Sequence, residues 1–259
     1  QITLDELENL DLLKTEKPDL PEVSSQDIYH HFENLFSSYK NELVPDHLQL
    51  STKNMRFNQF DSEGLTHIHP TQDSSELQGL LQVYFELNTY LSKLLGMDQF
   101  FVNSSYERHS MLLSLLLIQA YHADTTKKQK KTTILLPASQ AKRFEPYSKF
   151  IGFQLVPVKD THGYLDKKDL LAKTKPNVAA LILSDAEGVV QDNIDEISSY
   201  MSKNNILVWW DIHHGSSYFG LIKPGSCGVD ICTLNLHKSL WSLSSESRFS
   251  VRPIGVSKA

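Results

Sequence analysis

From about residue 75 onward, the apolar residues of the chain fall into two alternating patterns, short runs that are apolar throughout and longer stretches with apolar positions three and four apart. The short runs predict strands at Gln99 to Val102, Thr133 to Leu136, Gln154 to Val158, Val178 to Leu183, Ile206 to Trp210 and Asp230 to Leu234. The longer spacing predicts helices at Tyr106 to His122, Lys142 to Phe150, Lys167 to Ala172 and Ile194 to Lys203. Strands apolar on both faces and separated by amphipathic helices define an α/β fold, a mostly parallel sheet flanked by helices. Ahead of this alternation, Asp73 and Glu76 are spaced as a capping box. The helix they open carries Leu77, Leu80, Leu81, Tyr84, Leu87, Leu91, Leu94 and Leu95 on its inner side and stops at Gly96.

Residues before this point lack that regularity. Acidic residues with Pro18 and Pro21, between Leu10 and Val23, predict an extended arm of the sort that packs on a partner subunit. An amphipathic helix at about Gln26 to Tyr39 follows. The expected organisation is an N-terminal arm and helix over 1–74 and a large α/β domain over 75–259. With 259 residues, 40% of them apolar, the chain buries a sizeable core. Its net charge of -6 leaves no basic face for a phosphate backbone, so nucleic acid is not an expected partner. The longest apolar run, Met111 to Ile118, is interrupted by Ser114 and is too short to span a bilayer, so no membrane anchor is expected. Gln1 to Leu13 is acidic and amphipathic, unlike a secretory or transit segment, and the expected compartment is cytoplasmic. Cys227 and Cys232 have no CxxC spacing and suggest neither a disulfide framework nor a zinc site. His122, His213, His214 and His237 stand near predicted strand ends without a carboxylate or thiolate at ligand spacing, so no metal is expected.

Ligands of open parallel sheets bind beyond the carboxyl ends of the strands, which directs attention to the polar residues there. Asp211 directly follows the strand ending at Trp210, and Lys238 follows the next strand. A pyridoxal cofactor needs both groups, a lysine for the Schiff base and a carboxylate to keep the pyridine nitrogen protonated. Taken singly, Asp211 reads equally as a turn cap and Lys238 as a solvated loop lysine.

The stretch from Asp211 through Gly220, Pro224-Gly225, Gly228, Asp230 and Leu234-Asn235-Leu236-His237-Lys238 resembles the cofactor region of the glycine dehydrogenase (decarboxylating) family, the P-protein of the glycine cleavage system. Leu20-Pro21-Glu22-Val23-Ser24 is similar to the arm of the lysine-bearing second subunit of two-subunit P-proteins. Ile68-His69-Pro70, Leu95-Gly96-Met97-Asp98, Ala120-Tyr121-His122, Gly152-Phe153, Ala180-Leu181 and Pro253-Ile254-Gly255-Val256 occur in the family's order. The resemblance implies the aspartate aminotransferase type of fold, fold type I of the pyridoxal-phosphate enzymes. It also implies pyridoxal 5'-phosphate as cofactor, glycine as substrate and transfer of an aminomethyl group to a lipoyl carrier protein. Assembly with a P-protein-like subunit, as a homo- or hetero-oligomer, goes with it. In that scheme Lys238 holds the cofactor, Asp211 holds its ring nitrogen and His237 orients it; the family's smaller C-terminal domain is absent from this chain.

The departures from the family pattern cluster where cofactor and substrate would sit. Where the family has a glycine-rich run after the lysine, residues 242–252 contain no glycine. The Ser-Ala-His-Gly-Thr-Asn-Pro pattern is matched by Ser139-Gln140-Ala141-Lys142-Arg143-Phe144-Glu145, so only Ser139 is kept. Ser51-Thr52-Lys53-Asn54-Met55-Arg56 keeps only a methionine and a basic residue of another segment, and His213 stands where a small residue would lie against the ring. Ser104 and Ser105 offer phosphate donors at the start of the helix after the first strand, followed by bulky Tyr106. Three readings remain open: an active glycine-decarboxylating subunit, a degenerate paralogue that keeps the fold, has lost the cofactor and serves as a binding or regulatory subunit, and another pyridoxal-phosphate lyase or decarboxylase. Arg143, Arg248 and Arg252 read as solvated surface residues, or in the third case as anchors for a substrate carboxylate. Trp209, Trp210, Tyr218, Phe219 and Trp241 read as core or interface residues.

Overall fold

The computed structural model describes residues 23–24, 26–28, 30–31, 34, 71–102, 104, 106–125, 130–161, 164–184, 193–212, 220–236 and 253–257. The chain divides into two compact units, whose described residues lie within 23–90 for one and within 91–257 for the other.

In the first unit, Gln26 to Ile28, His30, His31 and Asn34 are helical, and the rest of the helix predicted over Gln26 to Tyr39 lies outside the described residues, as does the arm up to Glu22. The turn begins reciprocally: Asp27 N donates to Ser24 Oγ at 3.1 Å, and Ser24 N donates to Asp27 Oδ2 at 3.3 Å. His31 Nε2 lies 2.8 Å from Glu86 Oε2. Asp73 caps a short 3-10 turn, Ser74–Leu77, by accepting from Ser75 N at 2.8 Å; the side chain of Glu76 lies outside the described residues. Helix α1, Gln78–Leu95, continues from it and carries on into the second unit. Leu91 and Leu95 are buried as expected, but Leu81 and Tyr84, placed on the inner side by the periodicity, are exposed. A stripe of apolar residues defines a face without saying what covers it.

The second unit is built on a seven-stranded sheet in the order β1-β9-β8-β7-β6-β2-β3. Its strands are β1 (Gln99–Phe101), β2 (Thr133–Pro137), β3 (Gln154–Val158), β6 (Val178–Ser184), β7 (Leu207–Ile212), β8 (Ile231–Leu234) and β9 (Ile254–Val256). A two-stranded ribbon, β4 (Asp160–Thr161) with β5 (Tyr164–Leu165), follows β3. β9 runs antiparallel to both neighbours, and the pairings through β8, β7, β6, β2 and β3 are all parallel. Helices α2 (Glu107–Thr125), α3 (Ala141–Ile151), α4 (Lys167–Lys173) and α5 (Ile194–Lys203) supply the crossovers. The mostly parallel α/β sheet expected from the pattern is therefore present.

Buried strand residues explain the order. β2, β6 and β7 are apolar on both faces, so each must be covered on both sides and none suits an edge. Met111, Leu115 and Ile118 of α2 and Phe144 of α3 pack on Ile134, Ile182 and Trp209. The rings of Phe144 and Trp209 meet edge to face, with centroids 5.4 Å apart. α3 ends at Gly152, whose φ of 91 lets its amide and that of Phe153 return to the last carbonyls of the helix. At the far end of α2, His122 Nε2 lies 2.8 Å from the Ala179 carbonyl, beside the start of β6. Burial lowers the pKa of that imidazole, and its place at the amino end of the sheet sets it apart from the strand ends where ligands gather.

Among the differences from the sequence expectation, those at β7 and β9 bear on the sheet's centre and edge. β7 runs on to Ile212, so Asp211 lies within the strand, paired in register with Ser184 and Thr233, rather than after it. β9 is an additional strand, formed by the segment that carries the Ile254-Gly255-Val256 island. It fits between β1 and β8 because Gly255 has no side chain: a Cβ there would lie 2.6 Å from ring atoms of Phe100 and 2.8 Å from Cys232 Sγ. Among the described residues no helix is long and apolar enough to cross a membrane.

Replacing Gly255 by alanine forces Phe100 out of its rotamer and is expected to cost about 1–3 kcal/mol. Urea unfolding followed by far-UV circular dichroism reads this as a lower midpoint, and an unchanged midpoint would show that β9 does not pack as described.

Candidate functional site

The carboxyl ends of β6, β7 and β8 lie side by side, and the residues after β1 and β2 lead into α2 and α3 at the same edge. Asp211 stands at the centre of this edge with its side chain 3% exposed. A carboxylate so deeply placed needs hydrogen-bond donors and a compensating charge. Thr233 Oγ1 donates to Asp211 Oδ1 at 2.7 Å, and Trp209 Nε1 donates in turn to Thr233 Oγ1 at 3.0 Å. The indole thereby fixes which way the hydroxyl donates, and the hydroxyl fixes the carboxylate.

The compensating charge is Arg143. Its Nη2 lies 2.8 Å from Asp211 Oδ2, close enough for an ion pair although the two atoms are off the line of a hydrogen bond. Arg143 Nε donates to Glu107 Oε1 at 2.8 Å, and Nη2 lies 2.5 Å from the same oxygen. Its Nη1 reaches Ser184 Oγ at 3.4 Å, and the guanidinium carbon lies 5.3 Å from the centroid of the Phe144 ring. Burial alone would lower the pKa of Arg143, but Asp211 and Glu107 outweigh it and hold the guanidinium above its ordinary value. Glu107 lies in the first turn of α2, where the helix dipole favours a negative group, and Arg143 in the first turn of α3.

Of the residues singled out from the sequence, Asp211 occupies the strand-end position and Ser104 is buried between β1 and α2. Ser139 lies in the turn after β2, where its amide donates to Asp160 Oδ1 at 3.0 Å and its hydroxyl to Asp160 Oδ2 at 2.8 Å. Lys238, His237, His213 and Ser105 lie outside the described residues, as do the segments 51–56 and 242–252, with Arg248 and Arg252. Arg143 is corrected by the structure: it is not a solvated surface residue but the cation of a largely buried network. Glu107 and Thr233 join that network without having been noticed in the sequence. The available signals were weak, namely an arginine in the threonine slot of the Ser139 pattern and a threonine one strand over from an aspartate.

A pyridoxal ring with its protonated nitrogen at Asp211 would require Oδ2, the oxygen that Arg143 already faces. A protonated ring nitrogen brought to that oxygen would stand against the permanent charge of the Arg143 guanidinium, and the Ser139 hydroxyl is turned to Asp160. Ala141 leaves only a methyl group where the family pattern has a histidine. The described residues, in this arrangement, do not fit the cofactor.

The fold is that of the pyridoxal-phosphate enzymes of fold type I. A solved glycine decarboxylase (P-protein) of the glycine cleavage system, in inhibitor-bound form, superposes with a TM-score of 0.62 at 17% identity, covering 99% of this chain and 58% of that one. A sphingosine-1-phosphate lyase of Burkholderia pseudomallei gives 0.57 at 11% identity, covering 91% and 52%. By sequence the chain is a relative of the glycine dehydrogenase (decarboxylating) subunit 2 family. It is 32% identical over 254 residues to the probable subunit 2 of Prosthecochloris aestuarii, covering 94% of this chain and 51% of that protein. To the probable subunit 2 of Aquifex aeolicus it is 32% identical over 253 residues, covering 94% and 52%. The chain thus spans about half the length of the curated relatives it matches. No family sequence model matches it.

Thr233→Val leaves the Trp209 indole without its acceptor and Asp211 without its donor, an expected loss of about 1–3 kcal/mol. Thr233→Ser should recover most of it. Urea unfolding followed by tryptophan fluorescence measures both, and equal midpoints for valine and wild type would contradict the network.

Proposed function

We propose that this chain is a P-protein-type component of a glycine cleavage assembly that keeps the fold of the second subunit and acts as a partner subunit, not as the decarboxylating catalyst. The observation that carries this reading is the guanidinium of Arg143 set against Asp211. A carboxylate that serves a pyridine nitrogen must meet the ring; here it meets a permanent cation belonging to the protein. The chemistry that pyridoxal phosphate supplies when bound, an electron sink for the electrons released on decarboxylation, has no matching set of groups among the described residues.

What these residues do is hold a structure together. Trp209 orients Thr233, Thr233 orients Asp211, and Arg143 ties Asp211 to Glu107, so the ends of β7 and β8 and the starts of α2 and α3 are joined by one polar network. A fold so preserved suits a subunit whose work is assembly with a P-protein-like chain or with its lipoyl carrier protein. A second reading, an active glycine-decarboxylating subunit, is favoured by the 32% identity to named subunit 2 proteins over most of the chain and by the position of Asp211 itself. It requires Asp211 to serve a ring nitrogen beside the guanidinium of Arg143.

Glycine-dependent exchange of labelled bicarbonate into the carboxyl group of glycine separates the two. With pyridoxal phosphate and lipoyl carrier present, the purified chain is expected to give the rate of the protein-free control, and a faster rate would establish the active reading. Size-exclusion chromatography with a glycine dehydrogenase P-protein and with the carrier tests the partner role. Co-elution with either is the expected result, and separate elution from both would overturn it.

A further inference from the structure

Asp211 presents one hydroxyl-bound oxygen, Oδ1, and one oxygen, Oδ2, that no hydrogen-bond donor among the described residues is lined up to meet. A cation balances such a buried oxygen, and two sources suit this place: a protonated ring nitrogen from a cofactor, or a side chain of the protein. We infer that Arg143 is an internal counter-ion that has taken the place of the ring nitrogen at Asp211, so that the buried carboxylate meets a cation and the strand end folds with no cofactor at all. This rests on the reading of the chain as a P-protein-type subunit released from the chemistry.

The surroundings of Arg143 support a fixed role over a passing one. Glu107 takes both Nε and Nη2 on a single oxygen, Ser184 stands at Nη1, and the Phe144 ring lies beside the guanidinium. A side chain pinned on three of its nitrogens is held, whereas one waiting to be displaced would need somewhere to go. Glu107 adds a second consequence. It places a carboxylate in the first turn of α2, the helix whose amino end would receive the cofactor's phosphate, and like charges there oppose binding. The single arginine therefore faces two carboxylates at once, and the net negative charge left on the three groups opposes a phosphate at that helix end.

Thermal unfolding of the full chain tests this with wild type, Arg143→Ala, Asp211→Asn and the double variant, each with and without pyridoxal phosphate, alongside the visible spectrum. Arg143→Ala strands two carboxylates and is expected to lower Tm by about 10 °C. Adding Asp211→Asn to it should raise Tm again, because the neutral amide no longer needs a cation. Wild type should show no Tm shift and no visible aldimine band with pyridoxal phosphate. The inference is overturned if pyridoxal phosphate stabilises wild type, if Arg143→Ala melts with wild type, or if the double variant melts below Arg143→Ala. Should Arg143→Ala fail to fold, recovery of folding in the double variant supports the inference and its failure to recover overturns it. A counter-ion failure of these kinds in a chain without bicarbonate exchange leaves the partner-subunit reading standing, whereas exchange by wild type removes that reading directly.

Discussion

A carboxylate that is 3% exposed at the edge of a parallel sheet imposes a requirement on everything around it, and Asp211 is such a group. Its transfer from water costs several kcal/mol unless donors and a cation replace the lost hydration. Thr233, backed by Trp209, supplies the donor, and Arg143, anchored by Glu107, supplies the cation. Remove the pairing and the ends of β7 and β8 would face the first turns of α2 and α3 across an uncompensated charge. α3 is held at this edge twice, by Arg143 at the rim and by its neighbour Phe144, which packs edge to face on Trp209 in the core below.

The same interaction decides how a familiar architecture is used. Parallel strands with right-handed crossovers deliver polar residues to their carboxyl ends whatever the chain does for a living, and this is why so many chemistries share such sheets. Among the described residues of this chain, several of the delivered groups meet one another. Ser139 is bonded to Asp160, Ser184 stands beside Arg143, and Asp211 is neutralised from within. A buried carboxylate that meets a cation of its own chain stabilises its own fold, whereas one that serves a ligand leaves its charge for that ligand. Similarity to the subunit 2 proteins and the altered electrostatics are therefore compatible: the fold is kept by the apolar core, and the activity of such a fold lives in a handful of side chains at its rim.

Much of the architecture was legible in the chain because it depends on periodicity. Runs such as Val178 to Leu183 and Ile206 to Trp210, apolar on both faces, can only be buried strands, and the helices between them carry their apolar positions at helical spacing. Asp211 was legible as well, as a charged residue at the end of such a run. β9 was not, because a three-residue strand around Gly255 has no pattern of its own and exists only where Phe100 and Cys232 leave room for a bare backbone. The exposure of Leu81 and Tyr84 was equally hidden, because an apolar face is a local property and its cover is not.

The sequence by itself determined the elements, the parallel sheet and a resemblance to the subunit 2 proteins, since these follow from hydrophobic spacing and from short motifs kept in order. Only the tertiary structure decided what Arg143 does. It lies 36 residues from Glu107 in the chain, and Asp211 comes later still, so no local pattern joins the three. They meet because the crossovers bring β2 and β7 to either side of β6 with their carboxyl ends level. Whether an arginine is a solvated surface residue or the counter-ion of a buried aspartate is a question of distance through space, and spacing along the chain carries no such information.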